Sequence, residues 1–235
     1  MSRHERCAAA GNDGGDMKDE RETREKLLCS AKKEFSEKGF MKASLRNICK
    51  NTGVTTGALY FFFKDKDDLF VSLVREPLAR IHKIMSAHFT QERQMADEGA
   101  FLTQDFSDDY EASFEVIHEL YLYREEFLLL ITKAQGSSLE NAVDAIVEIS
   151  DRHYHTLAGA YADRFPGMRM EEETIHWIAH MQTDIFVYMI THIETEDEAV
   201  RYMKQAVRYM VMGWYGMFGI VPNLPEIAGE PEKKA

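Results

Sequence analysis

Three groups of residues in this chain have types and spacings suited to chemistry. The first is Thr55-Thr56-Gly57-Ala58 with Tyr60 and Phe61 close behind and Lys66 beyond them. Hydroxyl, phenol and ammonium groups donate to anionic oxygens, Ala58 can touch a thymine methyl, and Gly57 lets a backbone approach whatever it faces. The second group is Glu172, His176 and His180, which on a helix would share one face and hold a divalent cation, with His153 and His155 as helpers. The run from His176 to His180 lacks the glutamate of a zinc-protease motif, and nine histidines make such pairs by chance, so no metal is expected. The third group, Phe114, His118, Tyr121, Phe127, Tyr154, Met181 and Tyr188, mixes apolar bodies with polar tips, which suits a small-molecule cavity as well as a plain core. No activated nucleophile, phosphate loop or carboxylate pair accompanies them, so neither an enzyme nor a cofactor is expected.

The elements around the first group read as short helices. Leu27, Leu28, Ala31 and Phe35 recur at helical spacing from Thr23, with Lys32, Lys33, Glu34 and Glu37 on the other face, and Gly39 stops the pattern. Ser44 offers an N-cap to a second helix with Leu45, Ile48 and Cys49 inward, ending at Gly53. Thr55 caps a third helix through Phe63. Gly53-Val54 is then a tight turn between two short helices, the arrangement that presents one of them to a major groove. Successive residues step about 100° around a helix, so the run Tyr60-Phe61-Phe62-Phe63 must leave at least one ring on the surface. Asp65 and Asp68 resemble a capping box for a fourth helix that carries Pro77, a residue that tends to kink a helix.

Charge divides along the same line. Residues 21–70 hold 11 Lys and Arg against 7 Asp and Glu, whereas residues 71–235 hold 14 against 28, within a net charge of −12. A basic head on an acidic body fits a polyanion bound at one end.

The stretch LLCSAKKEFSEKGFMKASLRNICKNTGVTTGALYFFFKDKDDLF, from Leu27 to Phe70, resembles the N-terminal DNA-binding domain of the TetR (tetracycline repressor-like) family. Ala31, Phe35, Gly39, Ser44, Ile48, Gly53, Val54, Leu59, Tyr60, Phe63, Lys64, Lys66 and Leu69 fall in register. The resemblance implies DNA contacts from Ser44, Arg46, Thr55, Thr56, Gly57, Ala58, Tyr60 and Lys66, and the exposed-aromatic argument adds Phe61. The chain departs from the family at Phe62, where a polar ring is common, and at Asn47, where an acid is common.

The resemblance also implies a helical C-terminal body that binds a small molecule and pairs through its last two long helices. The sequence independently shows long helical patterns over about 106–135, 139–165, 171–194 and 196–219, with almost no strand alternation. The last two are apolar on more than one face, so each must be buried on more than one side. Ile178, Gln182, Ile185, Met189, Met203, Val207, Met210 and Trp214 are the expected dimer interface, and Gly213 and Gly216 permit close helix approach.

The expected fold is all-α: a disordered tail over 1–20, a three-helix helix-turn-helix domain over 21–66, a larger helical ligand-binding and dimerisation domain over 67–221, and a C-terminal tail over 222–235. The expected partners are double-stranded DNA, an unknown small-molecule effector and a second copy of the chain; the expected activity is ligand-responsive regulation, most simply repression, from a near-palindromic operator. A helical protein-interaction module or a ligand-independent DNA-binding regulator is the alternative. Cys7, Cys29 and Cys49 lack metal-like spacing and suit a reducing cytoplasm. No secretory signal or membrane span is expected.

Overall fold

The computed structural model describes residues 15–98, 107–164, 167 and 169–220. Among them are nine helices and no strand: α1 (Gly15–Lys42), α2 (Leu45–Thr52), α3 (Thr56–Phe62), α4 (Lys66–Glu98), α5 (Ser107–Leu122), α6 (Arg124–Lys133), α7 (Ala142–Arg164), α8 (Glu172–His192) and α9 (Glu196–Met217). None of them is long and apolar enough to cross a membrane. Cys29 is exposed and Cys49 buried, while Cys7 and the expected C-terminal tail lie outside the described residues. The described residues of Met1–Arg80 with Leu122–Ala142 form one compact unit, and those of Ile81–Tyr121 with Val143–Ala235 form the other.

The first unit closes around Phe35. Its ring meets Phe70 edge-on at 5.2 Å and Phe40 at 5.9 Å, and Phe40 meets Phe70 at 5.4 Å. Leu27 and Ala31 of α1, Ile48 and Cys49 of α2, Leu59 of α3, Leu69, Leu73 and Val74 of α4, and Leu129 and Leu130 of α6 complete this core. Each such side chain removed from water contributes about 1.5–3 kcal/mol. The Lys32 ammonium pairs with Glu125 and Glu126 and so ties α1 to α6.

Three local expectations need correction. Helix α1 opens at Gly15, so residues 15–20 are helical rather than tail; the i,i+4 pairs Arg21–Glu25 and Lys26–Glu22 support this polar first stretch. The pattern over 106–135 is two helices, broken at Tyr123 although no Gly or Pro stands there. Tyr123 is buried, with its hydroxyl 3.4 Å from Glu76 Oε1 and Arg80 over its ring, so tertiary packing sets the break. Phe127 follows that break into the first unit, where it is buried. The third correction concerns Glu34, read as solvent-facing but buried.

In the second unit Tyr161 packs on Phe218 at 4.7 Å and meets Trp214 and Tyr215 at 5.9 Å, within a core that includes Ala96, Leu157, Ala158 and Ile175. On α8 and α9 the expected interface stripe faces inward. Ile178, Met189, Met203 and Val207 are buried within the chain, and Gln182, Ile185, Met210 and Trp214 are half-buried. The opposite face of these helices carries large side chains in water. Trp177 is 57% exposed, Tyr188 52% and Tyr209 60%, with Met212 and Met217 also outside.

Candidate nucleic-acid interface

The geometry of the head starts from its turn. Gly53 ends α2 at φ 70°, ψ 15°, a left-handed conformation that costs glycine little and other residues more. Val54 donates its N–H to the Cys49 carbonyl at 3.1 Å and packs against the core, which sets the angle at which the chain leaves. Thr55 then caps α3: its Oγ1 accepts from the Ala58 N–H at 3.2 Å. Ser44 occupies the N-cap position of α2 in an extended conformation, but its side chain makes no capping bond. Its N–H is held instead by Glu34.

Glu34 Oε1 accepts from Lys38 Nζ at 2.8 Å, the Ser44 N–H at 3.0 Å and Asn47 Nδ2 at 3.3 Å. Burial raises the pKa of this carboxyl, but the bonds from Lys38, Ser44 and Asn47 and the Lys38 charge outweigh it and hold the pKa below the ordinary value. This accounts for Asn47: an acid there would place a second carboxylate against Glu34, whereas the amide supplies a donor. α4 begins with a related device, in which Asp65 Oδ1 accepts from the Asp68 N–H at 2.8 Å and Asp68 Oδ2 accepts from the Lys64 N–H at 3.0 Å.

The four consecutive aromatics divide by helix phase. Phe63 is buried under the Arg24 guanidinium, and Phe62 lies half-buried against the core and edge-on to Phe61 at 5.1 Å. Tyr60 is 53% exposed and Phe61 71%. Thr55, Gly57 and Ala58 are exposed with them, and a Cβ on Gly57 would meet only Thr55 Oγ1, at 4.0 Å. Thr56 is half-buried, and burial raises the pKa of the Cys49 thiol. Arg46 on α2 is exposed, as are Lys42, Lys50 and Lys64. Small, hydroxylated and aromatic side chains thus cover the outer face of a short helix within a basic surface, the composition that contacts phosphates and base edges.

Lys66, expected to reach outward, turns back. Its Nζ donates to the carbonyls of Phe40 at 2.8 Å and Met41 at 3.2 Å and lies 4.5 Å from the centre of the Phe40 ring. α1 ends at Lys42, so both carbonyls stand in its last turn; the Ala43 N–H reaches that of Phe40 at 3.3 Å, and Lys66 supplies a donor to each. The ammonium therefore serves the fold with two of its three donors.

The residues expected to gather around a ligand are dispersed. Besides Phe127 in the first unit, Phe114 is half-buried beside Tyr110, and His118 is exposed with its Nδ1 3.0 Å from Glu196 Oε1. Tyr121 donates to the Ile193 carbonyl at 2.9 Å. Tyr154 packs against Trp214, and burial, with the nearby charges of Glu92 and Asp109, raises its phenol well above the ordinary value. Met181 and Tyr188 line an open groove with Trp177, His180, Asp184, Ile185 and Tyr202. His176 and His180 do meet, with Nε2 atoms 3.2 Å apart, but His176 Nδ1 is taken by Asp151 at 3.1 Å. A cluster that the sequence did not suggest joins His88, Glu92, Asp109 and His153, drawn from three helices far apart in the chain.

Two short helices around a glycine turn, the second with its outer face free, define a helix-turn-helix DNA-binding protein. Residues 27–73 match the family described as bacterial regulatory proteins, tetR family. An HTH-type transcriptional regulator of Staphylococcus aureus strain USA300 is 27% identical over 187 residues, covering 78% of this chain and 91% of the relative, and a homologue in strain MRSA252 is equally similar. The fold is similar to crystal structures of NalD, the secondary repressor of the MexAB-OprM multidrug efflux pump in Pseudomonas aeruginosa. One matches with a TM-score of 0.54 at 18% identity, over 82% of this chain and 96% of that one; the other matches with 0.51 at 19%, over 82% and 98%. The chain thus carries a tetR-family DNA-binding segment over residues 27–73 and is similar over most of its length to HTH-type transcriptional regulators.

Proposed function

We propose that two copies of this chain pair through the outer faces of α8 and α9 and set their α3 helices in successive major grooves of a near-palindromic duplex, repressing transcription until a small molecule binds the second unit. The carrying observation is the free outer face of α3, where Gly57, Ala58, Tyr60 and Phe61 are all exposed. Thr55 and Arg46 flank it, and Ser44 and Thr56 contribute hydroxyls near the two helix starts. Lys66 acts in this reading by holding the end of α1 that leads into α2, with one donor left for a phosphate. In this reading residues 21–66 carry the DNA contacts and residues 67–221 carry pairing and effector binding, through those of their stretches that belong to the second unit.

Pairing is supported by the exposed rings of Trp177, Tyr188 and Tyr209 and by Gly213 and Gly216, where an added Cβ would meet nothing within 4 Å. So much ring and thioether surface in water calls for a partner, and two long antiparallel-capable helices per chain suit a four-helix bundle about a two-fold axis. α4 runs through the boundary between the units at Arg80–Ile81 and holds Pro77 one turn before it. An effector that prefers one setting of α4 would change the spacing of the paired α3 helices and thereby the duplex affinity.

Selection of binding sequences from a random duplex pool, followed by footprinting, tests this. The expected result is a two-fold-related site whose half-sites lie about one or two helical turns apart, bound with an affinity that falls steeply with salt. Recovery of no enriched sequence would show the reading to be wrong.

A further inference from the structure

Four metal-ligating side chains from three helices converge in the second unit. His88 and Glu92 stand one turn apart on α4, Asp109 lies in the first turn of α5, and His153 sits midway along α7. Glu92 Oε2 is the shared point, 2.8 Å from His153 Nε2 and 3.4 Å from His88 Nε2, and His88 Nε2 is 3.8 Å from Asp109 Oδ1. One donor atom each from His88, Glu92 and Asp109 lies within 4.8 Å of the other two. A tetrahedral ion with bonds of about 2.0–2.1 Å holds its ligand atoms about 3.3 Å apart. The separations around Glu92 and His88 straddle that value.

The surroundings are those of a built site rather than of a solvated charge cluster. The His153 side chain is 6% exposed and that of His88 15%. The His153 imidazole stacks on Phe89 at 3.9 Å with the planes 4° apart, which fixes where its Nε2 points. Two carboxylates drawn partly out of water beside one another are costly unless a cation offsets them. A metal ion takes imidazole in its neutral form and carboxylate as the anion, so this donor set would present a charge of about −2 that a divalent ion cancels. A donor set of two nitrogens and two oxygens favours first-row transition ions over the all-oxygen preference of calcium and magnesium.

The geometry points to a binding site for one divalent first-row transition-metal ion, ligated by His88, Glu92, Asp109 and His153. The exposed pair His176 and His180 makes a weaker site, because Asp151 is already engaged by His176 Nδ1 and by His155, leaving two facing nitrogens. The four-ligand cluster lies in the unit assigned to effector binding. Its regulatory consequence therefore rests on the proposed function, and metal binding itself does not.

The test uses the full-length chain stripped of metal. Zn²⁺ is titrated by calorimetry and Co²⁺ by visible absorption, which reports four-coordinate geometry through its d–d bands. The expected result is one equivalent per chain, weakened by more than about tenfold in Glu92→Gln and in His153→Ala and unchanged in a His176→Ala, His180→Ala double variant. Circular dichroism checks folding, and Asp109→Asn, the most exposed ligand, supplies an independent variant should His153→Ala misfold. Absence of stoichiometric Zn²⁺ binding, or binding that survives in Glu92→Gln and Asp109→Asn but is lost in the double variant, overturns the site. Duplex affinity is read in the same samples with and without Zn²⁺. Failure to bind any selected duplex counts against the proposed function alone, because the calorimetry stands apart from it.

Discussion

The Lys66 ammonium donates to the Phe40 carbonyl at 2.8 Å while lying 4.5 Å from the centre of the ring of the same residue. One side chain at the start of α4 thus adds a second donor to the Phe40 carbonyl, which also accepts from the Ala43 N–H at 3.3 Å, and caps the face of a core aromatic. Lys66→Ala removes a charge-assisted hydrogen bond to Phe40, another to Met41 and a cation–π contact. The expected cost is about 2–4 kcal/mol, a fall in melting temperature on the order of 5–15 °C for a chain of this size. Thermal unfolding without DNA measures it. An unchanged melting temperature combined with weakened duplex binding would return Lys66 to a purely phosphate-binding role.

Glu34 makes a second prediction, with a defined pH direction. Its folded pKa is depressed below the ordinary 4.5, so the stability it contributes is fully present above that value and is lost as pH falls through the lower folded pKa. Urea midpoints of the wild-type chain should therefore drop more steeply below about pH 4.5 than those of Glu34→Gln, which has no proton to gain. At neutral pH, Glu34→Ala strands the Ser44 N–H, Asn47 and Lys38 and should cost about 2–4 kcal/mol. Parallel acid titrations of wild type and Glu34→Gln would count against this role for Glu34.

On α3 the exposed and capping residues should separate cleanly. Tyr60→Ala removes a half-exposed ring and should leave the melting temperature within a degree or two while lowering duplex affinity by about tenfold. Thr55→Ala removes the bond to the Ala58 N–H and should cost about 1 kcal/mol of stability, with Thr55→Ser restoring it. Fluorescence anisotropy with a selected duplex and thermal melts on the same variants distinguish the two effects. A Tyr60→Ala protein that binds as tightly as wild type removes Tyr60 from the interface.

How much of this was legible in the sequence depended on the range of the interaction. Gly53, Thr55 and the Asp65–Asp68 pair act within four residues, and their turn and caps follow from residue type alone. The fold contacts of Glu34 with Ser44 and of Lys66 with Phe40 were not legible because these partners lie 10 and 26 residues away, so Glu34 read as solvated and Lys66 as a phosphate contact alone. The break at Tyr123 carries no local signal, being set by Glu76 and Arg80 of α4. The cluster of His88, Glu92, Asp109 and His153 spans up to 61 residues between contacting partners and appears only once α4, α5 and α7 are placed.

The two faces of α8 and α9 show the same limit in another form and carry the last prediction. Periodicity established that both faces were apolar but could not rank them, and the aliphatic stripe, assigned to the partner, fills the chain's own core. Val207, 1% exposed, should behave as a core residue: Val207→Ala leaves a cavity, costs about 1–3 kcal/mol and keeps the dimer. Tyr209, two residues on and facing outward, should do the reverse. Tyr209→Glu buries an unpaired carboxylate in the bundle only when two chains meet, so it should raise the dimer dissociation constant by more than about a hundredfold while the helicity of the isolated chain is kept. Sedimentation equilibrium across a dilution series reads both variants. A Tyr209→Glu chain that stays as tightly paired as wild type would place the two-fold contact on some other surface, and with it the spacing of the paired α3 helices that duplex recognition requires.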